Sequence, residues 1–285
     1  KFNQEVLCAF LGSSNTLINA DTIARLSSKP YVFSKDQLDI IEEPKPNNTY
    51  FISVDTSRGV ERDYSAFTVI NTTGYPFTVV AKYRNNNISP LLYPDIIHKV
   101  AKDYNNAYVL VEINDNGQQI ADIIHNELEY ENMMWVGSDA RYGQHISSSG
   151  KDAKLGVRTT KQVKATGCAI LKLLIEQNQL VINDFHSIEE LSTFSRKGVS
   201  YEAEEGKHDD MVMPLVLFAW LSDQQYFKDY TNINTLLKLR EKSEEDVMND
   251  LSPFGFVDDG RGDISTDLDL PPSGNWMFGV ETENL

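Results

Sequence analysis

Apolar runs and the polar breaks between them divide the chain into an ordered series of strands and helices. Tyr50-Phe51-Ile52-Ser53-Val54-Asp55 is a short apolar run rich in β-formers and bounded by polar and glycine residues. It reads as a strand buried on both faces and ending on a carboxylate. Residues 65–71 and 77–84 read as a second and a third strand. Only a tight turn at Thr73-Gly74-Tyr75 separates them, so the three strands should form an antiparallel meander. The period then changes. Leu91, Leu92, Ile96, Ile97, Val100, Ala101 and Tyr104 recur at helical spacing, which predicts an amphipathic helix over 90–104. Residues 107–113 form a fourth buried strand carrying one carboxylate, Glu112, and residues 116–130 a further helix. Signals between 131 and 157 are weak: a short strand at 133–136, then a long loop marked by Gly143, Ser147-Ser148-Ser149 and Gly150. A helix capped by Thr159 or Thr160 runs to Asn178. A strand at 180–182, a helix at 188–194 and a strand at 199–203 follow.

The last strong element is His208–Leu221, apolar nearly all round and therefore buried. Pro214 is tolerated only near a first turn, where the amides have no intrahelical acceptors. That places the helix start close to His208-Asp209-Asp210. The order β-β-β-α-β-α, followed by further elements, predicts an α/β fold. Its mixed sheet has three antiparallel strands, then βα units, with helices on both faces. Pro44-Lys45-Pro46-Asn47-Asn48 has the composition of a linker. We expect residues 1–47 to be the end of something else, residues 48–225 the main domain, and residues 226–285 an acidic extension, partly docked or disordered.

Composition narrows the partners. The chain has 285 residues, enough for one large domain with appendages, and a net charge of −16. Residues 222–285 hold 14 acidic residues against five basic ones, so much of the acidity lies in the C-terminal segment. Residues 140–172 hold seven basic residues against one Asp. These are Arg141, Lys151, Lys154, Arg158, Lys161, Lys164 and Lys172, either a solvated helix face or a track for DNA phosphates. Two cysteines, far apart and outside any CxxC, argue against a disulfide scaffold or zinc site and fit a reducing compartment. No apolar stretch approaches the roughly 20 residues of a membrane span. No signal peptide is visible, and the first residue is Lys1, so we expect a piece of a longer protein.

The candidate chemistry lies in carboxylates that recur at similar places. Asp55 ends the first strand, Glu112 lies near the end of the fourth, and Asp209 and Asp210 open the last buried helix. If the first and fourth strands are neighbours, these acids converge. Clustered buried carboxylates are costly unless a cation neutralises them. Mg²⁺ or Mn²⁺ is the natural partner for oxygen ligands. Two such ions about 3.5–4 Å apart can activate water and stabilise the leaving oxygen of a phosphodiester. Asp63 either assists near the metal or only starts the second strand. His208 either orients a carboxylate or water, or is a cap or surface residue. Arg58 and Arg62, beside Asp55, either hold the scissile strand or offset local acid charge.

The strand order, with an Asp on strand one, a Glu on strand four and an Asp on a late helix, resembles the RNase H-like nuclease and integrase superfamily. More narrowly, Val54-Asp55-Thr56-Ser57-Arg58-Gly59 with Asp63-Tyr64-Ser65, Val111-Glu112 and Gly206-Lys207-His208-Asp209-Asp210 resemble the C-terminal nuclease domain of the large terminase subunit of tailed bacteriophages, the T-even-like group especially. The Phe2–Leu17 stretch resembles the end of the ATPase domain that precedes it. The resemblance implies a metal-dependent endonuclease of a DNA-packaging motor, cutting concatemeric double-stranded DNA with little sequence specificity. It implies Asp55, Glu112 and Asp210 as metal ligands, with Asp209 capping the helix or binding a second ion. The implied partners are DNA, an N-terminal ATPase domain of the same protein, the portal and the small terminase subunit, with no membrane. The implied location is the host cytoplasm at the procapsid portal. No GxxxxGK[ST] phosphate loop occurs, so ATP hydrolysis by that route is not expected from these residues. Rival expectations are a Holliday-junction resolvase-like nuclease or a non-catalytic portal-docking module.

Overall fold

The computed structural model describes residues 15–56, 64–139, 143–147, 153–198 and 200–231. All of them fall in one compact unit, Lys1–Arg240. The elements are α1 (Ala20–Ile23), β1 (Phe33–Lys35), β2 (Leu38–Ile40), β3 (Tyr50–Asp55), β4 (Ser65–Asn71), β5 (Phe77–Asn85), α2 (Tyr93–Asp103), β6 (Tyr108–Val111) and α3 (Gly117–Asp122), which continues as a π-helical turn Ile123–Glu127. They go on with β7 (Trp135–Asp139), β8 (Gly143–Ser147), β9 (Lys154–Leu155), α4 (Lys161–Glu176), β10 (Leu180–Val181), α5 (Phe185–Thr193), β11 (Phe194–Lys197), β12 (Ser200–Ala203) and α6 (Val212–Ser222).

One mixed sheet organises the unit, in the order β1-β2-β5-β4-β3-β6. The β3-β4-β5 meander is antiparallel, as expected, and β6 joins β3 in parallel after the α2 crossover. β2 and β10 share the remaining edge of β5, β2 opposite Ala81–Tyr83 and β10 opposite Phe77–Thr78. Side chains alternate along a strand, and β3 separates two cores accordingly. Ile52 and Val54 pack with Ile97, Val100 and Ile120 from α2 and α3. Phe51 packs on the other face with residues of α4 and α6. Every residue of α6 from Val212 to Leu221 is buried, as the all-round apolar pattern requires. Gly167 lets α4 approach α6 closely, because a Cβ there would lie 2.4 Å from the Val216 carbonyl oxygen.

The structure departs from the sequence expectations in three places. α6 begins at Val212 rather than near His208, which puts Pro214 third in the helix, where its missing amide costs no intrahelical bond. Leu91 and Leu92, expected on the apolar stripe of α2, lie before its first turn and are 62% and 58% exposed. Pro94 in the first turn fixes that start. The region expected as a long loop holds a three-stranded antiparallel sheet, β8-β7-β9. All five β8 residues are half-buried, so no two-residue alternation marks the strand. Residues 15–47 contribute Leu17, Ile18, Ile23 and Ile41 to the core shared with α4 and α6, and two strands to the main sheet.

A buried cation secures that N-terminal part. Lys82 on β5 is 2% exposed. Its Nζ lies 3.1 Å from Asp39 Oδ2 on β2, 3.7 Å from Asp184 Oδ1 and 3.0 Å from His186 Nδ1. Tyr31 donates to Asp184 at 2.8 Å. A buried lysine is stable only when paired in this way.

Candidate active site

The register of the sheet builds the site. Val54 pairs with Val111 in parallel, and the Glu112 amide donates to the Val54 carbonyl at 2.9 Å, so Asp55 and Glu112 continue the pairing side by side. Asp55 is also opposite Ala66, and Ala66 is opposite Arg84. Glu112, Asp55, Ala66 and Arg84 therefore form one cross-strand row. Asp55 shares the strand face of Phe51 and Ser53, the face against which α6 packs. Ser53 donates to the Pro214 carbonyl at 2.5 Å, tying the first turn of α6 to β3 one pleat below Asp55. The segment just before α6 then delivers Asp210 to the row.

Each acid is held. Asn114 donates to Glu112 Oε1 at 2.8 Å, and Thr56 donates to the Glu112 carbonyl at 3.2 Å. Glu112 is buried. Asp210 is also buried; its Oδ1 accepts the Tyr64 amide at 3.1 Å. Its Oδ2 is enclosed and makes no hydrogen bond among the described residues. Arg84 Nη2 stands 3.6 Å from that oxygen and His208 Nδ1 3.5 Å. Asp209 points elsewhere, with Lys164 Nζ 3.8 Å from its Oδ2. It does not cap α6, whose N-cap is Met211 with no side-chain cap bond. Glu190 on α5 does that work by accepting the Met211 amide at 2.7 Å.

The electrostatics are those of crowded, buried acids that Arg84 and Lys164 only partly offset. Burial raises the pKa of Asp55 well above the carboxylate range, although the residue keeps some area at the strand end. Glu112, as acceptor for the protonated form of Asp55, and the charges of Glu112, Asp210 and Asp209 raise it further. Burial likewise raises Asp210, against the Tyr64 amide, Arg84 and His208. It raises Asp209 against Lys164, and pushes Glu190 up to about 7 against Arg84 and the Met211 amide. These folded-state values exceed the unfolded ones, so stability is full below the unfolded pKa and is lost as pH rises through the folded one. The metal-free protein should therefore lose melting temperature as pH climbs from about 4.5 to about 7. A divalent cation added at pH 7 should restore part of it. A melting temperature flat across that interval, with and without the cation, would contradict this account.

Among the described residues no group of three His, Cys, Asp or Glu side chains stands gathered around a ready metal position. Asp55 and Glu112 instead stand side by side at the ends of neighbouring strands, and the nearness of Glu112 helps to raise the Asp55 pKa. The residues nonetheless fit a hard cation. The donors are all carboxylate oxygens, two sit on adjacent strands in register, and the third presents an enclosed oxygen with no hydrogen bond. A divalent cation would offset the charge that crowding these carboxylates creates.

The other expected residues divide. His208 is largely exposed and meets the edge of the Tyr64 ring at 5.4 Å. Lys154 and Arg158 are exposed and line a cleft of about 540 Å³ with Asn114, Asp115 and Gln118, directly beside Glu112. Gln144 pins Arg158 there by accepting its amide at 2.9 Å and donating to its carbonyl at 2.6 Å. Lys161 is exposed on α4, whereas Lys164 is engaged by Asp209. Arg58, Arg62, Asp63, Arg141 and Lys151 lie outside the described residues, as does the extension from residue 232 onward. The sequence reading missed Arg84, Glu190, Tyr64 and Asn114. One signal was available: Lys82 and Arg84 place two cations on one face of an otherwise apolar strand, and buried cations imply buried acids nearby.

Comparison with known proteins identifies the fold and the family. The large terminase nuclease of thermophilic phage G20c with bound magnesium is 22% identical, aligned over 75% of this chain and 100% of its own, with a TM-score of 0.56. Its cobalt-bound form is 23% identical over 75% and 100%, at 0.55. The large terminase nuclease domain of Thermus phage P74-26 is 21% identical over 71% and 93%, at 0.51. These likenesses show a shared fold, the RNase H-like mixed sheet expected from the order of strands. The family of terminase RNaseH-like domains matches residues 52–219, a segment that includes Asp55, Glu112, Asp209 and Asp210, and the chain belongs to that family.

Proposed function

We propose that this chain is the metal-dependent endonuclease part of a viral DNA-packaging terminase, cutting concatemeric double-stranded DNA with little sequence preference. The observation that carries the reading is the pairing of Asp55 with Glu112 across β3 and β6, with the free Oδ2 of Asp210 brought to the same row. Two Mg²⁺ or Mn²⁺ ions would supply charge neutralisation at the scissile phosphate and acidify a water there. Asp55, Glu112 and Asp210 hold the cations. Asn114 and Thr56 fix Glu112 in place, and Tyr64 fixes Asp210. Lys154 and Arg158 bind the backbone phosphates of the strand leading away past Glu112. Asp209, tied to Lys164, is an alternate or second-ion ligand once that pair opens. The domain division goes with this reading: residues 48–225 carry the nuclease, residues 1–47 join it to a preceding ATPase domain, and 226–285 extend beyond it. Portal and small terminase subunit are the partners, and the procapsid portal in the host cytoplasm is the place.

The test is cleavage of linear and supercoiled plasmid with Mg²⁺, Mn²⁺ or chelator. Metal-dependent cutting of both substrates supports the reading. Cutting confined to branched DNA would favour a resolvase, and no cutting with either metal would favour a docking module. A second expectation follows from the cleft. Replacing Lys154 and Arg158 by Ala should raise the KM for DNA and flatten its dependence on salt by roughly one unit of slope per lost phosphate contact. The turnover rate at saturating DNA should be nearly unchanged. An unaltered salt slope would remove these two residues from the DNA path.

A further inference from the structure

Arg84 ends the row that begins with Glu112 and Asp55, and it touches both groups that restrain Asp210. Its guanidinium lies 3.9 Å from the centre of the Tyr64 ring, and the Tyr64 amide is the donor to Asp210 Oδ1. Its Nη2 lies 3.0 Å from Glu190 Oε1. The other oxygen of Glu190 holds the amide of Met211, the residue that follows Asp210. The same Nη2 stands 3.6 Å from Asp210 Oδ2; neither this oxygen nor Glu190 Oε1 makes a hydrogen bond among the described residues, so Arg84 faces both carboxylates as an ion-pair partner. On the nuclease reading given above, we propose that Arg84 and Glu190 are positioning residues that clamp Asp210 from both sides and present its free Oδ2 to a divalent cation. Asp210 sits on an irregular segment before α6, so nothing in regular secondary structure fixes its direction. A planar guanidinium can stack on a ring and bond a carboxylate at once; an ammonium cannot. Ala66, between Asp55 and Arg84 in the row, is fully buried and small enough to leave the space above it for Asp210.

The test uses the full chain with Mn²⁺ as the probe. Mn²⁺ binding without DNA is measured from the electron paramagnetic signal of the free ion, alongside Mg²⁺-dependent plasmid cleavage and thermal melting. R84Q and R84K should each weaken Mn²⁺ binding by about 10–100-fold, the usual cost of losing a partner that orients a ligand. Turnover should fall while KM for DNA stays within about threefold, since ground-state DNA binding is untouched. R84Q strands the Glu190 charge and could fail to fold. R84Q/E190Q removes the Glu190 charge along with its partner, should fold, and should show the same loss of Mn²⁺ affinity. Adding R84Q to D210N should cost no further Mn²⁺ affinity, because Arg84 acts through Asp210. Unchanged Mn²⁺ binding in R84Q/E190Q, full rescue by R84K, or an additive loss on top of D210N would each overturn the clamp. If wild-type protein cuts with Mg²⁺ and these variants cut equally well, the clamp fails and the nuclease reading stands. If wild-type protein neither binds Mn²⁺ nor cuts, both fail.

Discussion

Replacing Asp55 by Asn is expected to abolish Mg²⁺-dependent cleavage and, in metal-free protein, to raise the melting temperature. The two effects share one cause. Burial and the charges of Glu112, Asp210 and Asp209 push the Asp55 carboxyl well above its ordinary range, so without a cation the folded state gains by shedding that charge. An amide keeps the shape and donates to Glu112 without needing a bound proton. Each kcal/mol relieved should appear as roughly 2–4 °C in a domain of this size. Cleavage should fall by more than the about 10–100-fold typical of losing a supporting partner, because Asn offers no charge to a cation. Plasmid digestion and scanning calorimetry of the same preparation check both halves. A variant that cuts normally, or one less stable than wild type without metal, would refute the assignment of Asp55.

Gly117→Ala should be the most damaging single-methyl change near the site. A Cβ at this position would lie 1.7 Å from the Glu112 carbonyl oxygen and 2.9 Å from Thr56 Oγ1. The first turn of α3 packs directly on the backbone that carries Glu112, and neither partner is a flexible side-chain end. Overpacking of this kind costs about 1–3 kcal/mol, occasionally more. The strain falls on the Glu112 backbone and its bond from Thr56. Both the denaturation midpoint and Mn²⁺ affinity should therefore drop. Gly74→Ala is the control: nothing lies within 4 Å of a Cβ there, and the change should stay within about 0.5 kcal/mol. If the two variants prove equally stable, the close packing of α3 on Glu112 is not what holds that residue.

The frame of this fold was legible in the sequence because burial leaves a periodic trace. β3, β6 and α6 are apolar on all sides and were visible as continuous apolar runs; α2 was visible by its helical spacing. Chain order and short links then gave the meander and the parallel return of β6. The β7-β8 hairpin was illegible because its second strand has no buried face. The end of α2 was blurred because Leu91 and Leu92 continue the apolar rhythm into solvent. In the site, Asp55 and Glu112 could be read because each is a carboxylate at the end of an apolar strand. Glu190 could not, because what marks it is the Arg84 side chain and the Met211 amide that packing of its helix brings to it. Asp209 and Asp210 are neighbours in sequence with different surroundings, Lys164 for one and Tyr64 with Arg84 for the other. That division depends on tertiary packing alone.

Because Asp55 and Glu112 sit on hydrogen-bonded neighbouring strands, their separation is a property of the main chain. Strand spacing of about 4.8 Å sets the distance between their backbones, and no loop movement can widen that without breaking the central sheet. Asp210 is different, since it arrives on the irregular stretch between β12 and α6. On the nuclease reading proposed above, a brake on cutting would act on that stretch or on access of the duplex to the row. The fixed half of the centre behaves as an anvil, and control belongs to whatever lowers the third carboxylate onto it.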